Sequence, residues 1–210
     1  MRNRAWIIGN APSIAKLDMT RLKDEITFSF NRAYIAYEDW GWYPNYYMVI
    51  DSNILRQITN DINDLIRSGE IGQYYFNRDG SENIIKADNV HIIDLAKGWG
   101  FNPDRFNYCG DVAACALQIA YTEGYHKLYL AGVDQSWGTH GETAPNADTD
   151  HFRPDYETDA VRMSKIYADG HFSSWKQSII EAKEYDMQII TTTPSKLSGY
   201  VPFVPFSKVT

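Results

Sequence analysis

Short apolar runs, each stopped by a small or polar residue, recur along the chain. Residues 5–8 are stopped by Gly9, residues 26–30 by Asn31 and residues 46–50 by Asp51. Residues 74–76, Val90–Ile93, Lys127–Ala131 and Gln188–Thr191 are further runs of the same β-rich kind. Runs of this length bounded by turn formers fit strands buried on both faces. Between them the period becomes helical. Ile54, Leu55, Ile58, Ile62, Leu65 and Ile66 predict a helix within 53–67. Asp111 is placed to cap a helix over 111–121, with Val112, Cys115, Ala116 and Ile119 on one face. Its small residues predict that a neighbouring element packs closely against it. Helical pattern returns over 158–168 and 173–185. Strands alternating with helices predict an α/β fold with a mostly parallel sheet flanked by helices. In such a sheet ligands lie beyond the carboxyl ends of the strands. Asn10, Asn31, Asp51 and Asp134 all stand at or just past predicted strand ends, so one pocket is expected to collect them.

From Asp134 onward the pattern stops for about twenty residues, and a segment this long without periodicity predicts a functional loop or lid over 135–157. At 210 residues, with 44% hydrophobic and 14% aromatic positions, the chain is expected to form a single domain with a continuous core. The net charge of −7 and pI near 5.2 argue against a partner such as duplex nucleic acid, which needs clustered Lys and Arg. No apolar stretch reaches the roughly 18 residues of a membrane span, and the run after MRNRAW is too short for a signal peptide. Cys109 and Cys115 lack metal-ligand spacing; placed on one helix they read as buried thiols of a reduced compartment. A cytoplasmic protein is expected. The aromatic tail over 200–206 leaves open a peripheral place at the inner membrane face and a homo-oligomer, and core packing explains it equally.

Several motifs carry chemistry with a plain structural alternative beside it. Gly9-Asn10-Ala11-Pro12-Ser13 is either an ordinary strand-to-helix turn or one that offers amides to a phosphate. It is neither GxGxxG nor a P-loop. Asp148-Thr149-Asp150 has the DxD shape that holds a divalent ion on a diphosphate, a shape that also arises by chance in acidic loops. The segment from Asp150 to Tyr156 is denser. His151 beside carboxylates is a candidate general base, and Arg153 can clamp a carboxylate or phosphate; a solvated loop with a local salt bridge is the alternative. His140 and His171 are isolated and are read as polar surface residues. The aromatic run over 40–47 reads as core packing, with a sugar-stacking platform as the alternative. No G-x-S-x-G elbow is present.

The order of these motifs resembles a known pattern. GNAPSI follows the first strand, FSFNRAY ends the second and YYMVID the third. GDVAACALQIAYTEGYHKLYLAGVD comes later, then a DHF loop and a closing TTTPS. Together they resemble the bacterial sialyltransferases of glycosyltransferase family 42 and the related DUF115 group, which includes 6-hydroxymethylpterin diphosphokinase-like proteins. The resemblance implies a Rossmann-like sheet, a variant of the GT-A-like fold, with a short lid. It implies a transferase moving a sugar from a nucleotide-sugar donor, most readily a CMP-activated sialic or nonulosonic acid, to a glycan acceptor in surface polysaccharide synthesis. By position, Gly9, Asn10, Ser13 and Asn31 would contact the nucleotide, and Gly110 and Asp111 would lie near the donor phosphate. Asp134 matches the family's aspartate after its strand and joins the nucleotide site, and Trp137 would stand beside the leaving phosphate. Asp51 falls where the sialyltransferases have asparagine. Their catalytic histidine falls here near Asp155, so His151 or Asp155 is expected as the base, with Arg153 and Tyr156 balancing donor charge. No metal is required on this reading. The alternatives are a diphosphokinase using ATP and Mg²⁺ held by Asp51, Asp134 and the Asp148/Asp150 pair, or a non-catalytic nucleotide-binding module.

Overall fold

Because each strand carries apolar side chains on both faces, the sheet it builds has to be covered on both sides. In the computed structural model, which describes residues 3–136, 150–156 and 165–210 (backbone only for 165–168), this is what the chain does. Among the described residues seven strands pair in parallel: β1 (Arg4–Ile8), β2 (Thr27–Phe30), β3 (Tyr46–Val49), β4 (Gln73–Asn77), β5 (Val90–Ile93), β6 (Lys127–Ala131) and β7 (Gln188–Thr191). Their order is β5-β4-β3-β2-β1-β6-β7. Alternate residues of β1 separate the two cores. Ala5 and Ile7 join one, and Trp6 and Ile8 join the other, all of them fully buried.

The first face is covered by α4 (Val112–Thr122) and α5 (Lys165–Glu184). Every residue of α4 from Ala113 to Ala120 is buried, because the helix lies against β1, β2 and β3 with α5 alongside it. Its alanines permit that closeness, as the sequence predicts. The second face is covered by two 3-10 turns, Pro12–Lys16 and Met19–Leu22, and by α1 (Tyr37–Trp40), α2 (Ser52–Gln57) and α3 (Thr59–Ser68). The helix predicted over 53–67 is therefore two helices. At the break, the Thr59 hydroxyl donates back to the Leu55 carbonyl at 2.8 Å, competing with the backbone ladder.

The aromatic run is core. Trp40 and Trp42 stack at 5.2 Å, and the Trp42 indole N–H donates to the Met19 carbonyl at 2.7 Å. Cys109 and Cys115 are buried and unbonded to each other covalently, but they do not share a helix as expected. Cys109 precedes α4, and its N–H donates to the Cys115 sulfur. In the tail, Phe206 packs on Trp6 while Tyr200 and Phe203 stay about half exposed. Among the described residues no helix is long and apolar enough to cross a membrane.

The connectivity positions the site. Strands β1 to β5 are added in one direction, and the chain then returns through α4 to place β6 on the other side of β1. Neighbouring connections therefore diverge between β1 and β6, the switch point at which such sheets open a crevice.

Candidate functional site

Two glycines close the floor of this crevice. A Cβ on Gly9 would lie 2.2 Å from the Gly132 carbonyl oxygen, and one on Gly132 would lie 2.5 Å from Ile14 Cγ2. Gly132 also has φ +68, a conformation that favours glycine. The two turns are laced together. Gly9 N–H donates to the Ala131 carbonyl at 2.8 Å and Ala11 N–H to the Gly132 carbonyl at 3.1 Å. Asp134 extends the lacing: its carboxylate accepts the Ser13 hydroxyl at 2.5 Å, the Ser13 N–H at 3.2 Å and the Thr193 hydroxyl at 3.3 Å. The amides of Gly9, Ala11 and Ser13 are thus engaged within the protein. The turn presents side chains to the crevice rather than a set of amides for a phosphate.

Asn10 is the foremost of those side chains. Its Nδ2 donates to the Phe30 carbonyl at 3.1 Å and to the Tyr156 hydroxyl oxygen at 2.7 Å, while its Oδ1 is buried without a partner. The Arg32 N–H donates to the same Tyr156 oxygen at 3.3 Å. Asn31 lies beside it in the turn after β2, with φ +52 and its Oδ1 also buried and unpartnered. A buried acceptor left unmatched costs about 1–3 kcal/mol, so two of them at one sheet edge mark places where a ligand's donors would be welcome. The segment from Asp150 to Tyr156 folds onto this edge. Phe152 N–H donates to the Asn10 carbonyl at 2.9 Å, and the His151 ring stacks on Tyr156 at 4.0 Å.

Other expected site residues are committed elsewhere. Asp51 is exposed and caps α2, accepting the Asn53 and Ile54 N–H groups at 2.8 and 3.1 Å. Arg153 is a strap rather than a free anion clamp. Its guanidinium donates to Asp39 at 2.8 Å, to the Ile35 carbonyl at 3.0 Å and to both Asp155 oxygens at 2.9 Å. Those bonds from Arg153 hold the Asp155 carboxyl below its ordinary value, which makes it a weaker base. Asp51 and Asp134, two of the four carboxylates assigned to magnesium in the diphosphokinase alternative, are thus engaged within the protein. Trp137, Asp148, Thr149, His140 and most of the expected lid lie outside the described residues. Among the described residues no group of three or more His, Cys, Asp or Glu side chains is placed to hold a metal.

The largest correction concerns His171. It is not a surface residue: both ring nitrogens are buried, and Nδ1 lies 4.0 Å from Asp111 Oδ2. Asp111 caps α4 as expected, accepting the Ala113 N–H at 2.7 Å, and it also accepts Gln135 Nε2 at 3.0 Å. Burial pushes the Asp111 carboxyl up. His171, the Trp175 indole and the Ala113 amide outweigh that and hold it below the usual carboxylate value. That carboxylate takes one amide at the N-terminus of α4, the end where a donor phosphate is expected. Gly110, with φ +73, has a packing role: a Cβ there would strike the Trp99 ring at 2.1 Å.

Gln135 is the other residue that the sequence reading passed over. It is buried, has φ +54 and leaves its Oε1 unpartnered. Asp134 and Gln135, adjacent at the end of β6, thus tie the Ser13 turn on one side to the Asp111–His171 pair on the other. The arrangement sets a histidine 4.0 Å from a carboxylate, near several amide oxygens without a hydrogen-bond partner. That is the equipment to move a proton beside a hydrogen-bonding ligand.

No family model matches the chain, and no curated protein matches it. Solved structures do. The monofunctional α-2,3-sialyltransferase Cst-I from Campylobacter jejuni superposes with a TM-score of 0.57 at 15% identity, over 96% of this chain and 80% of that one. CstII from Campylobacter jejuni in complex with the substrate analogue CMP-3FNeuAc gives 0.54 at 15% identity, over 98% and 87%. The sialyltransferase CstII in complex with a trisaccharide acceptor and CMP gives 0.55 at 17%, over 96% and 86%. Nearly the whole of this chain thus adopts a sialyltransferase-like α/β fold, an all-parallel sheet flanked by helices.

Proposed function

We propose that this protein is a glycosyltransferase that moves a sialic or related nonulosonic acid from a CMP-activated donor to a glycan acceptor of a surface polysaccharide. The fold supports the donor class, since it is the fold of sialyltransferases that bind CMP and CMP-3FNeuAc. The observation that carries the chemistry is the buried His171–Asp111 pair beside the β1–β6 crevice. With Nδ1 turned to Asp111, His171 takes the acceptor hydroxyl proton on Nε2. The acceptor oxygen bonds to the anomeric carbon as the bond from that carbon to the phosphate oxygen breaks, and CMP leaves with the electron pair. Asp111, held by Gln135, orients the ring and balances the imidazolium that forms. The Oδ1 atoms of Asn10 and Asn31 accept from the cytosine amino group or the ribose hydroxyls, and His151 and Tyr156 wall the site. The reaction written this way requires no metal, because the departing group is a single phosphate monoester.

The test is turnover of CMP-sialic acid, by hydrolysis and by transfer to a panel of glycans. A positioned general base contributes about 10²–10⁴-fold, so His171→Ala is expected to lose about that much in kcat with CMP affinity nearly unchanged. Full turnover in that variant removes His171 as the base. A donor panel in thermal denaturation tests the nucleotide separately. CMP at about 100 times its Kd stabilises the fold by about 2.7 kcal/mol, and the absence of any CMP shift overturns the donor assignment.

A further inference from the structure

The arginines of this chain divide by what faces them. Arg4, Arg56, Arg67, Arg78 and Arg153 each meet a carboxylate within ion-pair distance. Of the rest among the described residues, Arg21 donates to the Thr210 carbonyl, Arg105 is exposed, and Arg32 meets no carboxylate. Its Nη2 donates to Gln57 Oε1, a neutral amide oxygen, at 3.1 Å. The nearby Tyr34 hydroxyl is held protonated, by burial first and then by its bond to Asp61, so it supplies no charge either. Arg32 is half-buried and stands next to Asn31, whose acceptor is unmatched; its own N–H is anchored on the Tyr156 oxygen that Asn10 also reaches. A guanidinium carries five N–H donors in a planar fork suited to two oxygens of one anion, and Gln57 and the Tyr34 hydroxyl engage only part of it.

We propose that Arg32, rather than Arg153, is the residue that receives the anionic group of the bound donor. The ligand chemistry is an oxyanion, supplied either by the carboxylate of the transferred sugar or by the nucleotide phosphate. This rests on the CMP-sugar reading for its choice of ligand. The placement of Arg32 does not depend on that reading. Two features make the geometry suitable. Gln57 holds the fork from one side without neutralising it, and a ligand that met Asn10 and Asn31 at the ends of β1 and β2 would bring its charge to the same sheet edge. Arg153 cannot serve in this way while Asp39 and Asp155 occupy it.

Calorimetric titration of the full chain tests this, using wild type, Arg32→Ala and Arg32→Lys against cytidine, CMP, free sialic acid and CMP-sialic acid. Loss of a hydrogen bond between charged groups weakens binding about tenfold to a hundredfold. If Arg32 reads the sugar carboxylate, Arg32→Ala weakens CMP-sialic acid by that factor and leaves CMP unchanged. If it reads the phosphate, CMP and CMP-sialic acid weaken together and cytidine does not. Arg32→Lys keeps the stem and the charge, so it recovers part of the loss and serves should Arg32→Ala fold poorly. Wild-type affinities for both anionic ligands in Arg32→Ala overturn the proposal. Should wild type bind no cytidine compound, the CMP reading fails on its own. The same titrations with UDP, ATP and UDP-glucuronic acid then decide Arg32. Affinity that is lost in Arg32→Ala upholds it, and wild type binding none of these anions overturns it too.

Discussion

The two lips of the β1–β6 crevice are built on opposite rules. On one lip, Gly9, Gly132, Ser13, Asp134 and Thr193 hand hydrogen bonds to one another across gaps too narrow for a Cβ. On the other, Asn10 and Gln135 bond through their side-chain nitrogens, and Asn10, Asn31 and Gln135 each leave a buried amide oxygen unmatched. The first lip is finished by the protein. The second keeps buried acceptors open. Unmatched acceptors cost stability in the free protein and are tolerable where a ligand repays them.

The hardest way to break the framework lip is at Gly9. An alanine methyl there would sit 2.2 Å from a backbone oxygen that cannot move without dragging β6 with it. Overpacking typically costs about 1–3 kcal/mol, and a clash with backbone belongs at or above the top of that range. Gly9→Ala is expected to lose about 3 kcal/mol or more in urea denaturation and to express poorly. A Gly9→Ala protein as stable as wild type shows that the two turns are not locked together as described.

Asp111 lies where the lips meet, and pH sharpens its role. Its folded-state value lies below the ordinary carboxylate value near 3.8, so its charge favours the folded state. That contribution is complete above the unfolded-state value and is lost as pH falls through the lower folded-state value. Asp111→Asn should therefore be less stable than wild type at neutral pH by about 1–3 kcal/mol, the cost of losing charged bonds in a buried site. The gap between the two proteins should narrow below about pH 4. Urea midpoints for both, followed from pH 7 to pH 2, measure this. A gap that stays constant with pH means that Asp111 acts through shape and capping rather than through its charge.

The framework was largely open to sequence reasoning and the chemistry was not, for a physical reason. Strands β5, β6 and β7 fall at the residues predicted, because each is a short β-rich run that shows within four or five consecutive positions. Asn10, Asn31, Asp51 and Asp134 do stand at the carboxyl edge, since strand ends in a parallel sheet share one edge by construction. What each side chain does there depends on partners far away in sequence. Arg153 is claimed by Asp39, and His171 lies beside Asp111, sixty residues earlier in the chain. No local spacing encodes such pairings. Histidine 151, in a segment dense with charge, drew attention for composition, while His171 sat inside an unremarkable helical pattern. Helix 53–67 split for a local reason instead, at a threonine hydroxyl bond that a hydrophobic period does not register.

The smallest change tests the binding lip most cleanly. Asn31 sits at φ +52, where glycine is at ease, so Asn31→Gly removes the unmatched Oδ1 without straining the turn. The Tyr47 hydroxyl bonds to the Asn31 backbone carbonyl and survives the substitution. Stability is expected to stay within about 1 kcal/mol of wild type, the added freedom of glycine in the unfolded chain being offset by relief of an unmatched buried acceptor. If Oδ1 accepts from the nucleotide, CMP affinity falls by about twofold to tenfold, the worth of one neutral hydrogen bond. The reverse pattern, with stability falling and CMP affinity unchanged, moves Asn31 to the framework side. The contrast between the lips would then rest on Asn10 and Gln135 alone.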